Sequence, residues 1–196
     1  ASAAFALGAG AATRGGVWRA APRGLVARRA AKKKAAGGKA AQVKDGDVVF
    51  LKDRFGKYLN SEPGIDDVKA RAPLKADRAA WTVVHEDGLL KAGDIILLEG
   101  YRGGYLDVVG DVVQVKRTDK IRCAGVVVTK GSDPSSGKVD RSAVRYGDCI
   151  YLQANGARNT FIDVEGQDVR ARWGDEGAWQ QIIIEDDKDM ILPDQR

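Results

Sequence analysis

The chain has 196 residues, 44% of them apolar and 30% charged, with 24 glycines and two cysteines. That length suits one domain plus an appendage, and two cysteines cannot build a disulfide framework. No apolar run reaches the ~18 residues of a spanning helix.

The net charge of +5 is divided unevenly. Residues 1–44 carry ten Lys/Arg and no Asp or Glu, which leaves 22 basic and 27 acidic residues behind them. The chain is therefore a +10 arm on a body of −5. Its basic balance belongs to the arm and does not mark a basic domain.

The arm also holds sixteen alanines and few bulky apolar residues: Phe5, Leu7, Val17, Trp18, Leu25, Val26 and Val43. Such a segment buries too little apolar surface to offset its chain entropy. In isolation it is expected to be disordered, with a nascent helix near 24–36. Alanine-rich, arginine-rich, acid-free composition is also that of an organelle transit sequence. Residues 1–44 thus read as a transit-like segment or as an extended arm that a partner orders. Its ten cations suit a polyanion: RNA phosphates, anionic lipid headgroups or an acidic protein surface. The expected contact residues are Trp18, Arg19, Arg23, Arg28, Arg29, Lys32, Lys33 and Lys34.

The body repeats itself. Gly-Asp opens an apolar run ending in Leu at Gly46-Asp47 to Leu51, Gly93-Asp94 to Leu98 and Gly147-Asp148 to Leu152. An aromatic–aliphatic pair follows each time: Tyr58-Leu59, Tyr105-Leu106 and Phe161-Ile162. Short alternating segments come next, at Val68–Arg71, Val113–Lys116 and Val169–Arg172. Each copy closes on a small residue and an apolar run, with Trp at positions 81 and 179. The alternation puts one face inward and cations outward. Expected strands are 48–52, 57–60, 67–71 and 81–85, then 95–99, 104–108, 112–116 and 125–129, then 149–153, 160–164, 168–172 and 179–185. Glycines in the turns between them supply positive φ.

Three four-stranded units resemble the β-trefoil, and the Gly-Asp-x-x-x-Leu, Gly-x-Tyr-Leu and Trp pattern is similar to fascin-like trefoils. The resemblance covers about 45–186, with repeats at 45–92, 93–146 and 147–186, and leaves 187–196 as a tail. It implies an all-β fold whose core holds Leu51, Leu98, Leu152, Leu59, Leu106, Ile162, Trp81 and Trp179. Gly125 departs from the pattern, because it stands where the second repeat would have its Trp; Ile121 or Tyr146 is left to fill that volume. The fold names no activity by itself.

Candidate sites are few. His85 is the only histidine, beside Glu86 and Asp87, and no nucleophile motif accompanies it, so it reads as structural. One His and two separated Cys make no zinc cluster. Antiparallel pairing that sets Val128 near Ile150 would hold Cys123 and Cys149 about 15–20 Å apart, too far for a disulfide; two free thiols and a reducing compartment are expected. Asn60, Asp107 and Asp163 occupy one place in the three repeats. They would line sugar pockets in a lectin, but Asp and Asn at hairpins more often bond local backbone. The acidic stretch from Glu185 to Asp189 reads as a solvated face, and 131–145 as a surface contact loop. No catalytic, cofactor or metal residue is expected.

Two functions fit this inventory. The first is a non-catalytic structural subunit of a large organellar complex, peripheral to it. A photosynthetic or respiratory membrane complex is favoured, with plastid ahead of mitochondrion. An organellar ribosome is the other host, although an acidic body is repelled by RNA. The second is a binding module, lectin-like or fascin-like and actin-binding.

Overall fold

The computed structural model describes residues 40–62, 66–116, 123, 125–130, 141–155 and 159–191. The eight expected arm contacts from Trp18 to Lys34 lie outside them, as do the expected helix at 24–36, Ile121 and most of the 131–145 loop.

Twelve strands run through the described residues: β1 (Val48–Asp53), β2 (Tyr58–Ser61), β3 (Val68–Ala72), β4 (Ala80–Val84), β5 (Ile95–Gly100), β6 (Tyr105–Val109), β7 (Val112–Lys116), β8 (Val126–Thr129), β9 (Cys149–Ala154), β10 (Phe161–Glu165), β11 (Asp168–Trp173) and β12 (Ile182–Glu185). The first and last strands of each repeat pair in a closed antiparallel ring, β1–β4–β5–β8–β9–β12 and back to β1. Closure removes the free edges that an open sheet would expose. The middle strands form hairpins, β2–β3, β6–β7 and β10–β11. These meet one another at Lys69↔Asp168, Arg170↔Val112 and Asp67↔Gln114, and so cap the barrel.

The repeated Gly-Asp is a turn device. Asp47, Asp94 and Asp148 each accept, at Oδ2, the backbone N–H three residues earlier, from Lys44 (3.0 Å), Lys91 (2.8 Å) and Arg145 (2.7 Å). The glycine before each Asp sits at φ 76, 87 and 87°, in the left-handed region that only glycine enters freely. Just ahead of these turns, three backbones bond in a circle. Val43 N–H donates to Val144 O, Val144 N–H to Leu90 O, and Leu90 N–H to Val43 O, at 2.8 to 3.0 Å. All three side chains are fully buried.

Leu51, Leu98 and Leu152 fill the barrel, with Leu59, Leu106 and Ile162 beneath the hairpins. Trp81 is fully buried and donates its indole N–H to Leu59 O at 3.1 Å. β1 is buried on its outer side too, where Phe50 packs under Tyr58, Ala79, Ala80 and Met190.

The third Trp-like position differs from expectation. Val49 pairs with Trp81, Ile96 with Val126 and Ile150 with Ile182. Ile182 therefore takes the place of Trp81 in the third repeat, and Val126 takes it in the second. Trp179 lies in a 3₁₀ turn, Ala178–Gln180, and is 44% exposed rather than in the core. Gly125 is not the vacated Trp position. Its φ is +72°, and a Cβ there would stand 2.6 Å from Ile96 O. Tyr146 packs against the core and donates its hydroxyl hydrogen to Asp47 Oδ2 at 2.7 Å. The β8–β9 register is two residues from the expected one: Val128 faces Leu152, while Ile150 faces Ile182.

Candidate functional site

Asn60 and Asp163, two of the threefold polar positions, serve the backbone. In the first hairpin Tyr58 pairs with Ala72 and Leu59 with Ala70, which leaves Arg71 as an extra, bulged residue. Asn60 Oδ1 accepts its N–H at 3.4 Å. In the third hairpin Arg172 is the bulged residue, and Asp163 Oδ1 accepts its N–H at 3.3 Å. Asp163 is fully buried, and its carboxylate also takes the Arg172 guanidinium. A bulge orphans a ladder N–H, and a buried orphan costs about 1–3 kcal/mol. The second hairpin runs in unbroken register, from Tyr105↔Lys116 to Val109↔Val112. Of the two readings of these positions, the backbone-bonding one describes Asn60 and Asp163.

His85 is likewise enclosed. Its backbone N–H donates to Asp45 Oδ1 at 2.9 Å, and its Nε2 stands 3.3 Å from Asp94 Oδ2. This contact ties the end of repeat one to the turn of repeat two. Lys130 repeats the arrangement one step on, with Nζ 3.0 Å from Asp148 Oδ2. Cys123 and Cys149 are half-buried and not joined in a disulfide, and burial pushes the Cys149 thiol up from its ordinary value.

The acidic C-terminal stretch is only partly solvated. Glu185 accepts hydrogen bonds from Lys52 Nζ (3.2 Å), Lys75 Nζ (3.0 Å) and the Tyr58 hydroxyl (3.0 Å). Burial alone would raise its carboxyl, but these donors outweigh it and hold the group below the usual range. The same burial, with the bond to Glu185, pushes the Tyr58 hydroxyl up to about 12. A shallow groove of about 290 Å³ runs past Glu185 and Asp186 to Ala40 and Tyr146. Its charges are largely spent on one another. Among the described residues no three His, Cys, Asp or Glu side chains are grouped to hold a metal ion, and no helix is long and apolar enough to cross a membrane.

One exposed cluster stands out. Phe55, in the β1–β2 turn, and Trp179 are 51% and 44% exposed, with ring centroids 5.6 Å apart. The Arg54 guanidinium lies 4.9 Å from both centroids. Each contact contributes about 0.5–1 kcal/mol at an exposed site, enough to restrain all three side chains. Both supporting turns are clamped from below. Buried Asp53 accepts the N–H of Phe55 (2.9 Å) and of Lys57 (2.8 Å) at Oδ1. Buried Gln180 accepts the N–H of Gly177 at 3.0 Å. The sequence reading missed this cluster by placing Trp179 in the core. The signal was available: Trp81-x-Val83 alternates like Ile182-x-Ile184, whereas Gln180-Gln181 breaks any alternation between Trp179 and the last strand.

No protein-family model and no curated protein matches the sequence. Solved structures do match the fold. The SDF2-like protein from Arabidopsis thaliana aligns over 74% of this chain and 94% of its own, at 13% identity and a TM-score of 0.58. A Caenorhabditis elegans protein with unknown function aligns over 74% and 96%, at 12% identity and a TM-score of 0.62. The protein SeviL, solved bound to asialo-GM1 saccharide, aligns over 72% and 98%, at 13% identity and a TM-score of 0.50. Ring closure, hairpin cap and these likenesses define the class: the chain is an all-β protein of the β-trefoil fold. At such identities the likeness extends to the fold and no further.

Proposed function

We propose that this chain is a non-catalytic accessory subunit of a large assembly, with the trefoil as docking body and the basic arm as anchor. The observation that carries this reading is the division of charge, +10 on residues 1–44 against −5 on the remainder. A cationic arm binds phosphates or headgroups through counterion release and surface potential. An acidic, tightly closed body is suited to protein contact instead. The host proposed is a peripheral site on an organellar membrane complex, photosynthetic or respiratory; transit-like composition supports an organelle, with the plastid first. An organellar ribosome is the alternative host.

Native fractionation of source cells at moderate salt tests this, comparing the full chain with one lacking residues 1–39. The expected result is co-migration of the full chain with a megadalton-scale assembly, and its loss on truncation or at high salt. Free migration of both at ~20 kDa would overturn the proposal.

Carbohydrate binding is the second reading. The likeness to SeviL and the exposed Phe55 and Trp179 rings favour it. Spending Asn60 and Asp163 on backbone bonds weighs against a repeated sugar pocket. A glycan array with the full chain separates the two, and the fascin-like repeat pattern adds actin co-sedimentation as a further probe.

A further inference from the structure

Internal symmetry separates what the fold requires from what this chain adds. The Gly-Asp turns and the buried Leu and Ile positions recur in every repeat. The Arg54–Phe55–Trp179 cluster does not. By strand register, the places of Arg54 and Phe55 are taken in the second repeat by Tyr101 and Arg102, a contact of one guanidinium with one ring at 5.4 Å, and the place of Arg54 in the third by Asn155. The place of Trp179 is taken by Arg78 in the first repeat. Nothing in the barrel or its cap needs two half-exposed rings here.

We propose that Arg54, Phe55 and Trp179 form the contact that seats the trefoil on a protein partner, by gripping a partner carboxylate that stands beside an apolar side chain. The inference rests on the docking reading given above. Charge complementarity selects the occupant. Arg54 is exposed, and among the described residues it makes no ion pair; its guanidinium lies against the Phe55 and Trp179 rings. A guanidinium packed over two touching rings and paired with no acid has N–H donors to offer the two oxygens of a carboxylate. Of the acids leading into the Trp179 turn, Glu176 is already engaged, accepting from the Thr129 hydroxyl at 3.0 Å. Trp and Arg dominate the energetics of protein interfaces. Here they are restrained before binding, by stacking and by the buried Asp53 and Gln180 clamps, so little side-chain entropy remains to be lost.

The test introduces a photo-crosslinking residue at Lys57, beside the cluster, in the full chain expressed in source cells. Crosslinked peptides are mapped by mass spectrometry. Arg54→Glu and Trp179→Ala are compared with wild type in the same fractionation, with thermal melting as the fold control. The expected result is a crosslink to one protein subunit at a segment bearing Asp or Glu. Each substitution should weaken association about 30-fold or more without moving the melting temperature. Replacing the mapped carboxylate by Lys should restore the Arg54→Glu variant. Four outcomes overturn the inference: undiminished association of both variants; a crosslink to glycan; a crosslinked segment without an acid; or failure of the charge exchange. If wild type itself migrates free, the docking reading fails as well. If wild type stays in the assembly and the variants do too, only the site assignment fails.

Discussion

Glu185 and Tyr58 share one proton-sensitive contact between the first hairpin and the last strand of the barrel. The Tyr58 hydroxyl is pushed up to about 12 by burial, and then by its bond to the Glu185 carboxylate. A folded-state value above the unfolded one means that stability is complete below the ordinary tyrosine value near 10 and is lost as pH rises through about 12. Burial and the bond to Asp47 push Tyr146 up as well, so it acts in the same sense. Urea unfolding midpoints should therefore fall between pH 10 and 12, and Tyr58→Phe should flatten that fall. An unchanged profile would show that the phenol is not protected. Glu185 works at the other end of the scale. Its folded value lies below the ordinary 4.5, so its contribution is present above that value and is lost as pH falls beneath it. Gly125 offers a purely steric test of the same core. A methyl at φ +72° and 2.6 Å from Ile96 O has no room. Gly125→Ala should cost well over 1 kcal/mol, whereas Gly46→Ala, with nothing within 4 Å, should show only the smaller cost of its φ.

At the scale of the hairpin, position and role came apart. The sequence shows Asn60, Asp107 and Asp163 in register, and threefold polar positions invite a threefold ligand. The structure shows a bulge in the first and third hairpins and none in the second. Asn60 and Asp163 serve those bulges. Periodicity could find the positions, because spacing survives in sequence. It could not find the bulges, because one extra residue in a strand is set by twist and neighbouring packing. Removing the acceptor tests the role. Asn60→Ala should cost about 1–3 kcal/mol, the penalty for a buried orphan N–H, and should speed hydrogen exchange at the Arg71 amide. Asp163→Asn keeps the acceptor but discards the Arg172 ion pair, so it should retain Arg172 amide protection even as stability drops. Glycan binding lost in Asn60→Ala at unchanged stability would reverse the assignment.

The whole molecule was legible in outline because a trefoil writes its period into the chain. Three Gly-Asp turns, three Tyr/Phe-aliphatic pairs and three apolar endings fixed twelve strands to within a few residues. The boundary of arm and body and the fourth strands were less legible, since they depend on contacts far apart in sequence. Trp179 misled because composition, a small residue followed by Trp, matched Ala80-Trp81 while the pairing register did not. Val43 was counted with the arm, yet it is fully buried and closes the backbone circle with Leu90 and Val144. Gln42, Ala41 and Ala40 are stitched to Leu90, Tyr146 and Arg145 just ahead of it. Two truncations separate anchor from core. Removing residues 1–39 leaves this circle whole and should keep the denaturation midpoint close to that of the full chain. Removing residues 1–44 deletes a buried valine, with about 1.5–3 kcal/mol of burial. It also orphans Val144 O and Leu90 N–H, each costing about 1–3 kcal/mol if water does not reach it. Against a total stability of about 5–15 kcal/mol for a domain of this size, the second truncation should unfold at markedly lower urea. Equal midpoints for the two would mean that the circle closes without contributing, and that residues 40–44 belong with the arm.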